Sequence, residues 1–481
     1  MNYKLVFRLL GRLLLMEAAL MVPSLAVALI YREGDAMAFV YTIVLTAVCG
    51  IPALLLKPQR DDLTARDGMA VAGLSWVILS FFGALPFVFS RAMPSLADAY
   101  FETCSGFSTT GSTILTEIES LPRGVLFWRS FTHWIGGMGV LVLTVAILPR
   151  LSGRTAHLAR AESPGPTFSK LLPKMSDTAK MLYGLYLGLT VIEAVLLLAA
   201  GMNVYDALIH AFGTAGTGGF SNYNNSIAHF SPLIQWIIAV FMMLFGVNFT
   251  IYFHLVRREK EPILQNEELW AYLGITLTIT LIITFNILPQ TKEGFFTALR
   301  NAFFQVTAIA STTGFSTANF DAWPLLSRVL LMVLLCVGAC AGSTAGGFKL
   351  SRVLLLGKSA YRDLEHTLQP RKVAVVRFEG KPVQESTLAQ LGVYLFLWLG
   401  LAGCGTLLLA VFQKTDLGTA VTATLTCLSN VGPGLNRVGP TGNFAFFSTP
   451  AKVLLSFLML AGRLEIYPIL ILFSPTVWKK N

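Results

Sequence analysis

Charge is scarce in this sequence. Only 13% of its 481 residues are Asp, Glu, Lys or Arg, against roughly 25% in an average soluble domain. Hydrophobic residues make up 54% and the mean hydropathy is +0.65, so most of the chain is expected to sit in lipid. Clustered metal ligands are missing as well. The six cysteines (49, 104, 336, 340, 404 and 427) all lie in or beside apolar segments, which suits buried thiols that pack. Cys336 and Cys340 are one helical turn apart, but no histidine or carboxylate stands at ligand spacing, and the six histidines are scattered. No acidic pair falls at depth in the apolar runs, so a membrane enzyme lacks its acid, base or metal. The lone acids Glu17 and Glu193 on apolar helices read as packing or interface residues. Gly357-Lys358-Ser359 has the ending of a phosphate loop, but Arg352 occupies the place of its first glycine. The chain therefore carries no nucleotide motif of its own. The N-terminal stretch from Lys4 to Ile30 lacks a convincing cleavage site and reads as a retained helix.

What is present is a series of apolar runs of the roughly 20 residues that a spanning helix requires. Ten are read, at about 13–30, 37–56, 69–90, 126–148, 181–200, 233–255, 270–288, 325–356, 386–412 and 451–473. The formal charge of +10 is concentrated between them: at Lys4/Arg8/Arg12, Lys57/Arg60/Arg66, Arg150 to Lys180, Arg257/Arg258/Lys260, Arg352 to Lys381, and Lys479/Lys480. With ten spans and both termini inside, every cluster falls on one face, which the positive-inside rule makes cytoplasmic. Topology accounts for this alternation better than nucleic-acid binding does.

A short motif recurs four times. Asp98, Asp206, Asn301 and Thr419 each open a segment of about three turns, and a glycine follows thirteen positions later in every copy: Gly111, Gly219, Gly314 and Gly432. All four opening residues are good helix N-caps. A helix of three turns is about half of what crosses a bilayer, so each must dip in and return, and irregular backbone at that depth survives only when buried or lining water. The return loops hold Thr109, Thr110 and Gly111; Thr217, Gly218 and Gly219; Thr312, Thr313 and Gly314; and Asn430, Val431 and Gly432. Glycine permits positive φ and lets carbonyls turn toward one axis. Carbonyl rings replace an ion's water shell in potassium filters, and the helix C-termini add partial negative charge. The expected fold is an all-α polytopic membrane protein with four helix–pore helix–helix repeats around a pseudo-fourfold pore and two extra N-terminal helices. The units fall at 1–67 (scaffold), 68–156, 157–260, 261–360 and 361–481.

Two features suggest control of flow. The second helix of the third repeat is interrupted by Gly342-Ser343-Thr344-Ala345-Gly346-Gly347, followed by Phe348 and Lys349. Each glycine costs about 1 kcal/mol relative to alanine in a helix, so a broken helix below the loops could swing across the path. Close packing through small residues is the other reading. Arg463, in the last apolar run, costs at least about 2.5 kcal/mol if it faces lipid and is expected to face water or protein, as a barrier to cations. Glu465 is two positions away and does not share its helix face.

The four units, the Gly-Ser-Thr-Ala-Gly-Gly loop before Lys349, Gly462-Arg463-Leu464-Glu465 and Trp134-Ile135-Gly136-Gly137-Met138-Gly139 together resemble the Trk/Ktr/HKT superfamily over essentially the whole chain. The resemblance implies K⁺ uptake across the inner membrane, with K⁺ the only metal, held at the loop carbonyls. It implies a homodimer with one pore per protomer, gated by a cytoplasmic TrkA-like subunit. A nucleotide (ATP, ADP or NAD) would be bound by that partner and not by this chain. The docking loops would be 150–180 and 352–382. Serine at the first loop glycine accompanies sodium transport in plant relatives; Gly111 favours potassium. The fourth loop departs, with Asn430-Val431 where the first and third have Thr-Thr, which leaves its carbonyl geometry open. A proton- or sodium-coupled symporter with the same loops, or alternating access through repeats and broken helices, remains the alternative.

Overall fold

The computed structural model describes residues 1–57, 64–139, 175–290, 294–372 and 374–478. Its helices, in chain order, are α1 (Tyr3–Leu20), α2 (Val22–Tyr31), α3 (Ala36–Leu54), α4 (Ala65–Phe89), α5 (Leu96–Phe107), α6 (Arg123–Gly137), α7 (Met175–Ala199), α8 (Val204–Ala215), α9 (Pro232–Phe245), α10 (Phe249–Val256), α11 (Lys260–Leu264), α12 (Glu267–Ile287), α13 (Phe295–Ala310), α14 (Leu325–Val337) and α15 (Leu350–Leu368). A two-stranded hairpin, β1 (Arg377–Phe378) and β2 (Lys381–Pro382), precedes α16 (Glu385–Phe412), α17 (Leu417–Ser429), α18 (Thr449–Arg463), α19 (Tyr467–Ile471) and α20 (Pro475–Trp478).

Among the described residues, six segments are long and apolar enough to cross a membrane: Tyr3–Tyr31, Ala36–Leu54, Ala65–Phe89, Asp177–Ala199, Glu267–Gln290 and Glu385–Phe412. Helices α9 and α10 make a seventh if counted as one span, but they are bent by 93° at the break between them. The first segment begins at Tyr3, ten residues before the expected start, because Asn2 caps α1 by accepting from the Leu5 N–H. The expected run 126–148 is described only as far as 139, and the loop from 150 to 174 lies outside the described residues.

The short helices start elsewhere than expected. The caps are Ser95, Asn203 and Asp416, whose side chains accept from the N–H of Asp98, Asp206 and Thr419 respectively. The residues taken for caps therefore sit one turn inside. The third short helix runs for 16 residues from an uncapped Gly294, which places Asn301 in its middle.

The helices that follow the four short segments, α6, α9, α14 and α18, have 15, 14, 13 and 15 residues. The interruption expected after 337 is present between α14 and α15, and α9 and α10 are separated by a further break. After α9 the chain turns through Gly246-Val247-Asn248, where the Asn248 side chain caps α10. After α18, Glu465 and Ile466 both adopt positive φ before α19 begins.

The interior is largely apolar, yet apolar side chains also cover the outside of the long helices and polar loop residues are buried. Val44, Val48, Val191, Leu281, Leu399 and Val411 are exposed on the long helices, while Thr109, Thr110, Thr217, Thr312, Thr313 and Asn430 are wholly buried. The N-terminal pair packs on the first unit, α1 against α3 and α4, and α2 against α6. Helices α1 and α3 cross closely at small residues: a methyl group added to Gly11 would lie 2.7 Å from the Gly50 carbonyl oxygen.

Candidate functional site

Each short helix ends in the same way. The residue just past its last turn (Thr109, Thr217, Thr312 or Asn430) has φ of 55°, 53°, 57° or 54°. The next N–H then reaches back five residues: Thr110 to the Ser105 carbonyl (2.9 Å), Gly218 to Gly213 (2.9 Å), Thr313 to Ala308 (2.8 Å) and Val431 to Thr426 (3.0 Å). This is a left-handed helix cap, which normally takes glycine or asparagine. A β-branched residue there is strained by about 1–3 kcal/mol, and the chain accepts threonine three times. The fourth copy uses Asn430, a residue that tolerates the left-handed region, so the departure in sequence leaves the backbone pattern intact.

The loops then close on one another. Gly111, Gly219, Gly314 and Gly432 have φ of 79°, 74°, 81° and 100°. A methyl group added to Gly111 would lie 2.0 Å from the Gly218 carbonyl oxygen; on Gly219, 2.1 Å from that of Thr313; on Gly314, 2.0 Å from that of Val431; and on Gly432, 2.7 Å from that of Thr110. First touches second, second third, third fourth, and fourth first. A cyclic set of contacts encloses a centre, and its edges are the main-chain oxygens of Thr110, Gly218, Thr313 and Val431. The contact from fourth to first is the loosest. Helices α5, α8, α13 and α17 all aim their partially negative C-terminal ends at this ring.

The glycine-rich segment from 338 to 349 abuts the third and fourth loops. The Gly346 N–H donates to Thr312 Oγ1 (2.7 Å), and a methyl group on Gly346 would lie 2.6 Å from the Ser429 carbonyl oxygen and 2.7 Å from Asn430 Cβ. The segment is also tied to the break after α9: Cys340 N–H donates to the Gly246 carbonyl (3.1 Å) and Phe249 N–H to that of Gly342 (3.0 Å). Buried Glu268, at the start of α12, accepts from the N–H of Ala341 and of Ser351 through Oε1, both at 2.8 Å. Ser343 Oγ turns back to the Cys340 carbonyl (2.6 Å), Ala345 is buried, Gly347 takes φ of 78°, and the buried Lys349 ammonium donates to the Ala345 carbonyl.

The family model for TrkH, described as a cation transport protein, matches residues 35–274 and 267–480. The chain belongs to the TrkH cation transport family. The Trk system potassium uptake protein TrkH of Salmonella typhimurium is 37% identical over 489 residues, covering 100% of both chains. TrkG of Escherichia coli K12, also a Trk system potassium uptake protein, is 31% identical and covers 99% of both. The crystal structure of the potassium transporter TrkH from Vibrio parahaemolyticus superposes with a TM-score of 0.89 at 32% identity, covering 100% of both chains. The fold is thus that of a TrkH-family membrane transporter.

In this TrkH-family chain Arg463 reaches carbonyl oxygens: Thr344 (2.8 Å), Gly136 (2.5 Å) and Gly137 (2.7 Å). It thereby joins the end of α18 to the glycine-rich segment and to the C-terminal carbonyls of α6, where a cation is favoured. Glu465 pairs with Arg352 of α15. Asn430 Nδ2 donates to Thr110 Oγ1 (3.0 Å) and to the Met459 carbonyl (2.8 Å), linking fourth loop, first loop and α18.

Sequence reading missed three residues behind the ring. Glu102 on α5 and Arg129 on α6 form a buried ion pair, Nε to Oε1 at 2.7 Å, and Arg129 also donates to the Ser221 carbonyl (2.8 Å). His133, one turn after Arg129, bonds the Gly106 carbonyl (2.8 Å), and a methyl group on Gly218 would lie 2.3 Å from its ring. The available signal was a charge inside each of two membrane-depth segments, which calls for a partner. Glu17 and Glu193 are buried, not interfacial.

Proposed function

We propose that this chain is the membrane subunit of a K⁺ uptake system of the inner membrane and that ions permeate through the ring. The cyclic contact of Gly111, Gly219, Gly314 and Gly432 with neighbouring carbonyls carries the reading. Oxygens of Thr110, Gly218, Thr313 and Val431, with those of the residues beside them, replace the water shell of the ion. Around this filter we read four helix–pore helix–helix repeats (68–156, 157–260, 261–360 and 361–481) on a two-helix scaffold (1–67), ten spans in all, with both termini cytoplasmic. The second helices cross as broken spans, consistent with α9–α10 and α14–α15.

The segment from Gly342 to Gly347, with Lys349, serves as the gate, and Arg463 as a fixed positive charge below the filter. The bond from Gly346 to Thr312 supports this, since it ties the segment to the third loop. Relatives carry the name of the Trk system, and a homodimer with a TrkA-like nucleotide-binding subunit completes the assembly proposed here. The buried carboxyl groups of Glu17 and Glu193 favour a second reading, proton-coupled uptake through the same filter. Purified protein in liposomes, assayed for K⁺ or Rb⁺ flux with and without an imposed pH gradient, tests both. Saturation-free flux indifferent to the gradient is the expected channel result. Uptake driven by the gradient alone assigns coupling, and absence of alkali-cation flux in every condition refutes the proposal.

A further inference from the structure

The chain must climb away from the ring after each glycine, and something must hold those ascending limbs. Nine residues before the glycines stand Glu102, His210, Gln305 and Ala423. The first three are buried polar residues on pore helices. Glu102 accepts from Thr113 Oγ1 (2.8 Å) and the Ile114 N–H (2.9 Å), two and three residues past Gly111. His210 Nε2 meets Ser221 Oγ at 3.0 Å, two residues past Gly219. Its Nδ1 lies 2.7 Å from the Asp206 carbonyl. That contact requires a proton on Nδ1, which leaves Nε2 to accept. Gln305, with its amide turned as its neighbours require, accepts from the N–H of Thr317 (2.8 Å) and Ala318 (3.2 Å), three and four residues past Gly314. Where Ala423 offers nothing, the preceding Thr422 accepts from the Leu435 N–H (3.1 Å), three residues past Gly432. Four different side chains do one job in four quadrants.

We propose that Glu102, His210, Gln305 and Thr422 are positioning residues for permeation: a belt of pore-helix acceptors that tethers each ascending limb and so sets which alkali cation the ring discriminates. The proposal rests on the reading of the ring as the filter. The first quadrant is reinforced, because Arg129 neutralises Glu102 and reaches the Ser221 carbonyl of the second limb, with its guanidinium 3.6 Å above the Phe220 ring. A buried ion pair of this kind contributes geometry more than stability. The belt is invisible in sequence because three members share a register but not a residue type, and the fourth, Thr422, stands one residue earlier than that register.

The test reads the ratio of Rb⁺ to Na⁺ uptake in liposomes, together with the thermal midpoint of each purified variant. Thr422→Val removes the acceptor without changing shape, and Thr422→Ser restores it. The valine is expected to lower the ratio by about fivefold, the worth of one hydrogen bond of about 1 kcal/mol, and the serine to keep it. Glu102→Gln and Gln305→Met are expected to lower it at least as far. Equal ratios in the Thr422 pair, or a fall matched by serine, overturn the proposal; if Glu102→Gln does not fold, the Thr422 pair decides. Gly111→Ser is run alongside. A ratio altered by Gly111→Ser but by none of the belt variants rejects the belt and leaves the filter, whereas one unmoved by Gly111→Ser rejects the filter.

Discussion

Serine at Gly111 probes the ring where it is tightest. The backbone there holds φ at 79°, and a Cβ would lie 2.0 Å from the Gly218 carbonyl oxygen. The left-handed conformation alone costs a non-glycine residue about 1–2 kcal/mol. The contact is worse, because real Cβ atoms come no nearer than 3.0 Å to another heavy atom, so the oxygen has to withdraw by about 1 Å in an interior packed too closely to absorb it locally. That oxygen is one of four. On the proposed reading, losing its contact with a cation forfeits about the worth of one charge-assisted bond, 1.5–3 kcal/mol, which is about 10- to 150-fold in preference for the ion that fits. The same substitution at Gly432 meets the Thr110 oxygen at 2.7 Å, so a far smaller retreat suffices. Rb⁺ uptake competed by Na⁺, measured on purified variants in liposomes, should therefore show a large loss of discrimination for Gly111→Ser, Gly219→Ser and Gly314→Ser and a smaller one for Gly432→Ser. An intact ratio in Gly111→Ser, or Gly432→Ser as the worst of the four, refutes the reasoning.

Arg463→Ala strips three carbonyls of their donor and, on the proposed reading, removes the fixed charge of the barrier; flux without any partner subunit should rise, as it should on deleting residues 342–347, and low flux in both excludes a barrier role. Thr312→Val removes the acceptor of the Gly346 N–H, leaving a buried donor unsatisfied at about 1–3 kcal/mol; basal flux should rise, and an unchanged rate means that this bond does not hold the segment closed. Asp416→Ala removes the cap of α17 and should cost about 0.5–1 kcal/mol of stability at this exposed site, read as a lower thermal midpoint at neutral pH. Hydrogen bonds from Thr419 hold the Asp416 carboxyl below the usual carboxylate range, at about 2. Its folded value is the lower one, so its stabilisation is present above the unfolded value and lost as pH falls through about 2; a wild-type advantage over Asp416→Ala that grows on acidification contradicts this.

The glycine register was legible because it answers to a demand that side chains cannot meet: positive φ together with a carbonyl at the Cα. The caps were misplaced for an equally physical reason. Ser95 and Asp98, Asn203 and Asp206, and Asp416 and Thr419 are pairs three apart in which both members are polar, as at many helix starts, and spacing alone does not say which one is outside. The 93° bend between α9 and α10 has only Gly246 and the capping Asn248 to announce it, with no proline and no glycine cluster, so a run of apolar residues reads as one span. The Glu102–Arg129 pair is geometry between two helices. Twenty-seven residues separate that pair's members, and no periodicity links them.

The strained threonines bear on how such a ring opens. Thr109, Thr217 and Thr312 hold a left-handed conformation that persists only where the surroundings over-determine it. Each loop meets the next at a glycine, and the fourth is also bonded to the first from Asn430 Nδ2 to Thr110 Oγ1. Displacing one loop therefore disturbs its contacts with both neighbours. On the proposed reading the gate exploits this property. Gly346 bonds to the third loop and abuts the fourth, while Arg463 ties the same segment, through Thr344, to the helix behind the first. A movement of α15, which continues directly from Lys349, would reach three of the four quadrants through these contacts. Opening by this route has to change ion preference and flux together. A Thr312→Val protein with raised flux should therefore also show an altered Rb⁺ to Na⁺ ratio, and raised flux at an unaltered ratio would separate the gate from the filter.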